Sequence, residues 1–337
     1  MTISLQNLPL LVQLDIIKNI TYSEVFNLSL CSARTLKLIK ICKFPNVNAV
    51  RYFFNDEIMK VSIEEHDGGM ESMVLLQGDQ ERGEIDGGQY QKISDFREDF
   101  RMSTRDASLD DYFVLDFDRR LEQLVKNLLH QHICEMFENR FPIRLHVIAD
   151  ANLGVLPNIE SVNDCRICEG HSEVINQLIT SHPYINNVFI EKFVNNGLQD
   201  DHMLFGVQNL CMNQSGTEST TFLRQFTGRL LYLSSAECRN RHIVQFLEKW
   251  RSGRYYVNLK FLKIDLRRRR GFVQDEILAD IETTEWDPAT RPGRVVDVFS
   301  VDHELDIEEY LDIKREGDGK LASLSIIPSS FKFLVWD

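Results

Sequence analysis

The chain has 337 residues, of which 43% are hydrophobic and 26% are charged, a composition typical of a globular protein large enough for more than one domain. It contains no apolar run of about 18 residues, and residues 1–10 lack the basic flank and continuous apolar stretch of a signal peptide. Seven cysteines, an odd number, favour reduced thiols over a disulfide framework. We therefore expect a cytoplasmic or nuclear protein that does not cross a membrane.

The net charge of −13 is unevenly distributed along the chain. Residues 1–54 contain six Lys/Arg and two Asp/Glu, a net charge of +4, whereas residues 55–120 contain eight Lys/Arg and eighteen Asp/Glu, a net charge of −10. A basic segment therefore precedes an acidic one. This pattern favours an acidic partner for the first segment and disfavours nucleic acid as the ligand of the chain as a whole.

Residues 1–45 read as three short helices. Pro9 suits the first turn of a helix, Ser23 and Glu24 suit the start of the second, Ser32 is a suitable N-cap for the third, and Pro45 ends it. The apolar positions of the three helices are Leu11, Leu14, Ile16, Ile17 and Ile20, then Val25, Phe26, Leu28 and Leu30, then Leu36, Ile39 and Ile41. About 40 residues bury too little surface alone, so this segment needs a partner or the following domain.

From residue 48 onward the pattern changes to strands. We predict strands over 50–54, 58–63 and 72–76, and turns and loops in the acidic, glycine-rich stretch 66–88. A helix then begins near Leu121, with Leu121, Leu124, Leu128 and Ile133 on a shared face, and ends at Pro142 before a strand over 144–148.

Between about residue 160 and residue 266, short apolar segments recur at irregular spacings of roughly 20 to 30 residues. The segments are 165–167, 188–190, 207–212, 230–233 and 259–266, with helical stretches at 172–180 and 243–250 between some of them. This alternation predicts a parallel sheet with crossover helices, similar to an irregular leucine-rich-repeat array. Closing strands are predicted over 295–301, 307–313, 321–327 and 331–336.

The first segment resembles an F-box. The resemblance is carried without gaps by Leu8-Pro9, Ile16-Ile17, Ile20, Glu24-Val25-Phe26, Leu28 and the run Ser29-Leu30-Cys31-Ser32. Leu11 differs from the general pattern, which often has an acidic residue there, and Tyr22 stands where proline is common. The run from Leu28 to Ser32, followed by Ala33-Arg34-Thr35, is similar to the F-boxes of a large nematode family that also has a carboxy-terminal F-box-associated domain of the second type.

A second set of residues supports the same resemblance. Residues 246–253, which contain Trp250 and Gly253, and then 259–264 resemble the helix, tryptophan-x-x-glycine turn and strand of that associated domain, and 331–336 resembles its final strand. The resemblance implies an F-box-like helical module at 1–45, strands and an acidic loop segment at 46–120, and an F-box-associated α/β recognition domain at 121–337. The expected fold class is therefore α+β or α/β, with a three-helix module, an irregular leucine-rich-repeat-like βα domain and closing strands.

The function that the resemblance implies is substrate recognition in an SCF-type ubiquitin ligase. In such ligases the F-box binds an acidic Skp-type adaptor, which connects it to a cullin, and the distal domain holds the protein target. The residues implied in adaptor binding are Leu8, Pro9, Ile16, Ile20 and Leu28, with Lys18 and Arg34 at the rim. The +4 charge of residues 1–54 is independent of the motif and agrees with an acidic partner.

Two other interpretations remain open. The helices could be an ordinary cap that packs on the following strands, in which case the chain is a stand-alone repeat-like scaffold or sensor without a ligase role. The chain could also be an enzyme, although GxGxxG, GxxxxGK[ST], HExxH and GxSxG motifs are all absent. We therefore expect a non-catalytic binding protein without a cofactor.

The remaining motifs favour structural roles. Cys165, Cys168 and His171 form half of a zinc-site pattern, so we expect no metal, and His130, His132 and Cys134 are expected to be structural. Arg267 to Arg270 is interpreted as an exposed loop after a strand, with contact to an acidic segment or target as the alternative. Tyr255 and Tyr256 are candidate target-binding residues, since aromatic side chains contribute strongly to interfaces, whereas Trp250 is expected in the core.

Overall fold

The computed structural model describes residues 5–55, 58–79, 89–91, 100–105, 112–149, 156, 159, 162–194, 202–267, 271–287, 289, 292–296, 304–307 and 309–336. The chain divides into two compact units, Met1–Cys165 (unit 1) and Arg166–Asp337 (unit 2). Both contain helices and β-sheet, so the mixed α/β class predicted from the sequence is confirmed. The expected boundaries at 45/46 and 120/121 do not coincide with the division between these units.

Unit 1 begins with three helices, as the sequence predicted. After a 3₁₀ turn at Leu5–Asn7, these are α1 (Leu10–Asn19), α2 (Tyr22–Cys31) and α3 (Ala33–Ile41). The cap of α2 is Thr21, two residues before the expected Ser23. The Thr21 hydroxyl accepts from the Glu24 N–H at 3.2 Å, and the Glu24 carboxylate accepts from the Thr21 N–H at 2.8 Å. Ser32 caps α3, as predicted.

The sheet of unit 1 combines parallel and antiparallel strands. Its elements are β1 (Val47–Phe54), β2 (Ile58–Glu65), β3 (Met70–Asp79), β4 (Gln89–Gln91), β5 (Phe100–Arg105), β6 (Tyr112–Asp118), helix α4 (Glu122–Phe137) and β7 (Ile143–Ala149). The strand order is β7-β1-β2-β3-β6-β5-β4. β1 runs parallel to β7 and β3 runs parallel to β6, whereas the other pairs are antiparallel.

Helix α4 exists where the sequence predicted it, and the shared face named from the sequence is only partly buried. The buried apolar side chains are Val125, Leu129, Ile133, Met136 and Phe137. Leu124 is 40% exposed, and Leu121 and Leu128 are half-buried. Of the four residues on the shared face, Ile133 therefore lies in the core and the three leucines do not. A helix with apolar residues on two sides does not reveal from its sequence which side meets the sheet.

Unit 2 contains an alternating βα array. The boundary between the units falls within β8 (Val162–His171), and the elements that follow are α5 (Ser172–Ser181), β9 (Asn187–Val194), a 3₁₀ turn (Met203–Gly206), β10 (Asn209–Met212), α6 (Ser219–Gln225), β11 (Leu230–Ala236), α7 (Asn240–Arg251), β12 (Phe261–Leu266) and α8 (Gln274–Leu278). β9, β10, β11 and β12 are neighbours in chain order, and each pair is parallel. The predicted parallel sheet with crossover helices is therefore confirmed.

Antiparallel strands close this sheet. They are β13 (Thr284–Glu285), β14 (Arg294–Val296), β15 (Glu304–Asp306), β16 (Leu311–Lys314), β17 (Leu321–Ile327) and β18 (Ser330–Val335). The order continues as β12-β18-β17-β16-β13, while β14 and β15 form a separate pair. The predicted strand over 307–313 is interrupted by a turn, in which the Tyr310 N–H donates to the Ile307 carbonyl at 3.0 Å. Most of the strand predicted over 295–301 lies outside the described residues.

The core beside α7 is aromatic. The centroid of Phe333 lies 5.1 Å from that of Phe246 and 5.0 Å from that of Trp250, in edge-to-face contacts. Trp250 is fully buried, as the sequence predicted. The helix ends just beyond it, where the Gly253 N–H donates to the Trp250 carbonyl at 3.1 Å and Gly253 has φ of +71°. Glycine adopts this left-handed conformation without steric cost, which accounts for the tryptophan-x-x-glycine spacing.

Candidate functional site

The inner side of the first three helices is buried within unit 1. Ile17, Val25, Phe26 and Ile39 have no exposed surface. Burying an aliphatic or aromatic side chain stabilises a fold by roughly 1.5–3 kcal/mol, so these contacts hold the helices against the rest of the unit. This side of the helices is therefore unavailable to another protein.

Polar contacts also fix α2 and α3 in place. The Ser29 hydroxyl lies 2.7 Å from Nε2 of His132 on α4, and the Tyr22 N–H donates to Glu71 on β3 at 2.6 Å. Burial lowers the pKa of His132, with a smaller opposing effect from Glu135, so its ring favours the neutral form. Lys40 forms an ion pair with Glu135 at 2.6 Å. The helices are thus an integral part of unit 1.

The outer side of α1 is exposed and apolar. Leu11 is 80% exposed, Leu10 51%, Val12 43% and Ile16 36%, and these four residues are named the α1 surface below. Ile41, at the end of α3, is also exposed. Adjacent exposed aliphatic side chains on one helix are typical of a surface that another protein covers. α1 therefore has one apolar side in the core and another in solvent.

The residues implied in adaptor binding are accessible to different degrees. Pro9 and Ile16 are exposed, whereas Leu8, Ile20 and Leu28 are half-buried and none of the five is fully buried. Sequence reasoning missed Leu10, Val12 and Ile41 as surface residues. The signal that could have revealed Leu10 and Val12 is the continuous apolar run Leu10-Leu11-Val12, which is too wide for a single buried stripe.

The basic residues at the rim remain available for an acidic partner. Lys18, Arg34 and Lys37 are exposed, and none of them forms an ion pair with a carboxylate among the described residues. Unpaired surface charges of one sign speed association with an oppositely charged partner. The helical segment thus presents an apolar surface together with exposed lysine and arginine side chains.

A second candidate site lies in unit 2, between α6 and α7. It is a pocket of 290 Å³ that contains several basic side chains and is named the basic pocket. Its lining residues are Thr220, Thr221, Leu223 and Arg224 from α6, Arg241, His242, Gln245, Phe246 and Lys249 from α7, and Tyr256. Arg241, Gln245 and Lys249 recur every four residues, which places them on one face of α7. That spacing is the sequence signal that could have identified the basic face of α7.

The structure places the two candidate target-binding tyrosines in different environments at this pocket. Tyr256 lines the pocket and is mostly buried, whereas Tyr255 is 52% exposed and its ring lies 5.2 Å from Nζ of Lys249. Burial raises the pKa of Tyr256 to about 12, and its hydroxyl donates to the Leu223 carbonyl at 2.7 Å. Of the two side chains, Tyr255 is therefore the one available for a large contact area.

Tyr256 also has an unusual backbone conformation, with φ of +54°. A bulky residue in the left-handed region costs roughly 1 kcal/mol or more, and such strain persists only where surrounding contacts enforce it. Here the contacts are the hydrogen bond to Leu223 and an edge-to-face contact with Phe246, whose ring centroid lies 4.9 Å away. Tyr256, which forms the floor of the basic pocket, is thus held in place by contacts within unit 2.

The cysteines and histidines singled out in the sequence occupy structural positions. Cys165 is buried on β8, Cys168 is half-buried and His171 precedes α5. His130 lies against Tyr52, whose hydroxyl is 2.9 Å from its Nδ1, and burial lowers the pKa of His130 to about 4. Within the described residues, no group of three His, Cys, Asp or Glu side chains is arranged to hold a metal ion.

The four-arginine run is only partly described. Arg267 directly follows β12, is exposed, and lies 4.0 Å from Glu237, whereas residues 268–270 lie outside the described residues. Among the helices in the described part of the chain, none has the length and apolar character needed to span a membrane.

Comparisons with protein-family models, with curated proteins and with solved structures find no match to this chain.

Proposed function

We propose that this protein is a non-catalytic substrate-recognition adaptor of an SCF-type ubiquitin ligase. In this proposal, α1–α3 form an F-box-like module that binds a Skp-type adaptor, and unit 2 is a leucine-rich-repeat-like, F-box-associated domain that binds a protein target. The observation that carries the proposal is the α1 surface: four exposed aliphatic residues lie on a helix that also buries Ile17 in the core.

The charge of the helical segment supports the choice of partner. Residues 1–54 carry a net charge of +4 in a chain whose total is −13, and Lys18 and Arg34 are unpaired among the described residues. A Skp-type adaptor is acidic, so it complements this rim, while the α1 surface supplies apolar area for the centre of the interface. The F-box resemblance of residues 8–32 identifies the same segment independently of its exposure.

The adaptor role requires no reacting group in this chain. Holding a target and a cullin-bound conjugating enzyme in one complex raises the effective concentration of a target lysine near the enzyme, which turns a bimolecular encounter into an intramolecular step. The protein would thus contribute geometry and binding energy, and other subunits would supply the chemistry. A cytoplasmic or nuclear location is part of this proposal.

A second candidate function is a stand-alone interaction scaffold whose helices only cap unit 1. The observation that favours it is the close attachment of α2 to the unit through Ser29, His132 and the buried Phe26. The two candidates differ in the role of the α1 surface. An adaptor needs this surface for a partner, whereas a cap of the strands does not.

The discriminating experiment is co-purification of the full chain with a purified Skp-type adaptor. We expect the wild-type chain to form a complex and Ile16→Asp to lose it, because Ile16 belongs both to the α1 surface and to the residues implied in adaptor binding, and a carboxylate there would be buried without a partner and would face an acidic protein. Met70→Asp is the matched control, since Met70 is an exposed apolar residue of the same unit at a turn between strands. If the folded wild-type chain bound no Skp-type adaptor, the proposed ligase function would be contradicted.

A further inference from the structure

The basic pocket has a lining that is suited to an anion. Three permanent cations, Arg224, Arg241 and Lys249, line it together with two threonine hydroxyls and a glutamine amide, and none of its ten lining residues is acidic. In a chain with a net charge of −13, this local excess of positive charge is not a consequence of composition.

None of the three cations forms an ion pair with a carboxylate in the part of the chain that the structure describes. Two of them contact other side chains: Nε of Arg241 lies 3.1 Å from Nε2 of His242, and Nζ of Lys249 lies 5.2 Å from the ring centroid of Tyr255. Like charges that share a pocket repel one another, and that repulsion is relieved when an anion enters.

Two N–H groups point at the ring of His242, on the side of the pocket that α7 forms. Its Nδ1 lies 3.1 Å from the Arg239 backbone N–H, and its Nε2 lies 3.1 Å from Nε of Arg241. A neutral imidazole has only one acceptor nitrogen, so one of these two N–H groups faces the ring without an acceptor. An oxyanion beside Arg241 and His242 would supply that acceptor.

We propose that the basic pocket binds a phosphorylated serine or threonine of a protein target. A phosphate dianion carries two negative charges and three acceptor oxygens, which match three cations and neighbouring hydroxyl donors better than a single carboxylate does. Arginine clusters recognise phosphorylated peptides through such charge-assisted hydrogen bonds. Tyr255, exposed beside Lys249, provides an apolar surface for the peptide around the phosphorylated residue.

The proposal rests on the adaptor function only for the identification of the ligand as a protein target. The anion chemistry of the pocket is independent of the α1 surface. A chain that fails to bind a Skp-type adaptor but binds phosphothreonine would therefore contradict the proposed function and leave this inference in place. A chain that binds a Skp-type adaptor but not phosphothreonine would contradict this inference and leave the proposed function in place.

The experiment is an NMR titration of the full chain, labelled at its histidines, with N-acetyl-phosphothreonine-N-methylamide at about pH 7.5, where the phosphate is mainly dianionic. We expect a saturable shift of the His242 ring signals and no shift with the unphosphorylated compound. Arg224→Gln and Arg241→Gln should each weaken binding about tenfold or more, because each removes a charge-assisted hydrogen bond. Arg229→Gln is the matched control, an exposed arginine of unit 2 that does not line the pocket.

Several outcomes would overturn the inference. One is the absence of a saturable shift, and another is equal affinity in the wild type and in Arg241→Gln. If N-acetyl-glutamate-N-methylamide bound as tightly as the phosphothreonine compound, the pocket would be assigned to an acidic, unphosphorylated peptide. Equal binding of inorganic phosphate would assign it to the free ion.

Discussion

The α1 surface of unit 1 and the basic pocket of unit 2 differ in the physical means by which each would bind a ligand. The α1 surface offers exposed aliphatic area, which would supply affinity without strong directional preference. The basic pocket offers cations that have no carboxylate partner among the described residues, beside the aromatic rings of Tyr256 and Phe246, and such a site would select a ligand by its charge and its hydrogen-bond acceptors. An adaptor that binds one constant partner and one specific target would need both kinds of site. We therefore expect different substitutions to impair binding at the α1 surface and at the basic pocket.

The largest effect is expected inside the helical segment. Phe26 lies on the buried side of α2, beside the ring of His132 at 5.8 Å, so Phe26→Ala should lower the free energy of unfolding by about 3–5 kcal/mol. Urea denaturation measures this change. Leu11→Asp, on the opposite side of the segment, should leave stability within about 0.5 kcal/mol of wild type. Equal destabilisation by both would show that the α1 surface belongs to the core.

The second-largest effect is expected in the pH dependence of stability, in which His130 of unit 1 should differ from His242 of the basic pocket. Burial alone lowers the pKa of His130 to about 4, whereas burial, Arg241 and Arg239 together lower the pKa of His242. Below the unfolded pKa of about 6.5, the unfolded state binds a proton that the folded His130 does not, so stability should decline as pH falls from about 6.5 to about 4.

The size of this decline should be on the order of 2 kcal/mol, and His130→Gln should reduce it. Urea titrations across this pH range measure the effect. Added N-acetyl-phosphothreonine-N-methylamide should change the pKa of His242 and leave that of His130 unaltered, because of these two residues only His242 lines the basic pocket. A decline of equal size in His130→Gln would assign the acid sensitivity to other groups.

A smaller effect is expected at the floor of the basic pocket. Tyr256→Phe removes the hydrogen bond to the Leu223 carbonyl while it keeps the ring contact with Phe246, so it should cost about 1 kcal/mol of stability. Thermal unfolding measures the change. If Tyr256→Phe also abolished binding of phosphothreonine, the hydroxyl would have to contact the ligand, contrary to its position as a donor within the fold.

The smallest effect is expected for the pocket cations themselves. Arg241→Gln should change the free energy of unfolding of the free protein by less than about 0.5 kcal/mol, because Arg241 is exposed and has no carboxylate partner among the described residues. Urea denaturation without and with N-acetyl-phosphothreonine-N-methylamide measures this. In the wild type this compound should stabilise the fold, and in Arg241→Gln that stabilisation should be reduced. A large loss of stability without any ligand would identify Arg241 as a structural residue.

The parallel array of unit 2 could be predicted from the sequence because its strands are short apolar runs separated by helical stretches. The segments at 188–190 and 230–233 fall within β9 and β11, and the strand predicted over 321–327 coincides with β17. These elements are defined by local patterns, which a single sequence contains. The break between β15 and β16 was missed, since the apolar residues from 307 to 313 continue across the turn.

The sequence did not determine which side of each helix faces the core. α1 has aliphatic residues on both sides, so its pattern could not separate the buried Ile17 from the exposed Leu11, and the shared face of α4 likewise includes both the buried Ile133 and the exposed Leu124. The basic pocket was not predicted because its cations come from two helices separated by β11. Long-range packing brings them to one pocket, and no local pattern records it.

The central claim is that α1 meets another polypeptide through its exposed side, and hydrogen–deuterium exchange of the full chain with and without a Skp-type adaptor tests it most directly. We predict slower exchange of the amides of residues 10–19 in the complex, and unchanged exchange at the basic pocket. An adaptor complex that forms with no change in exchange along α1 would contradict it.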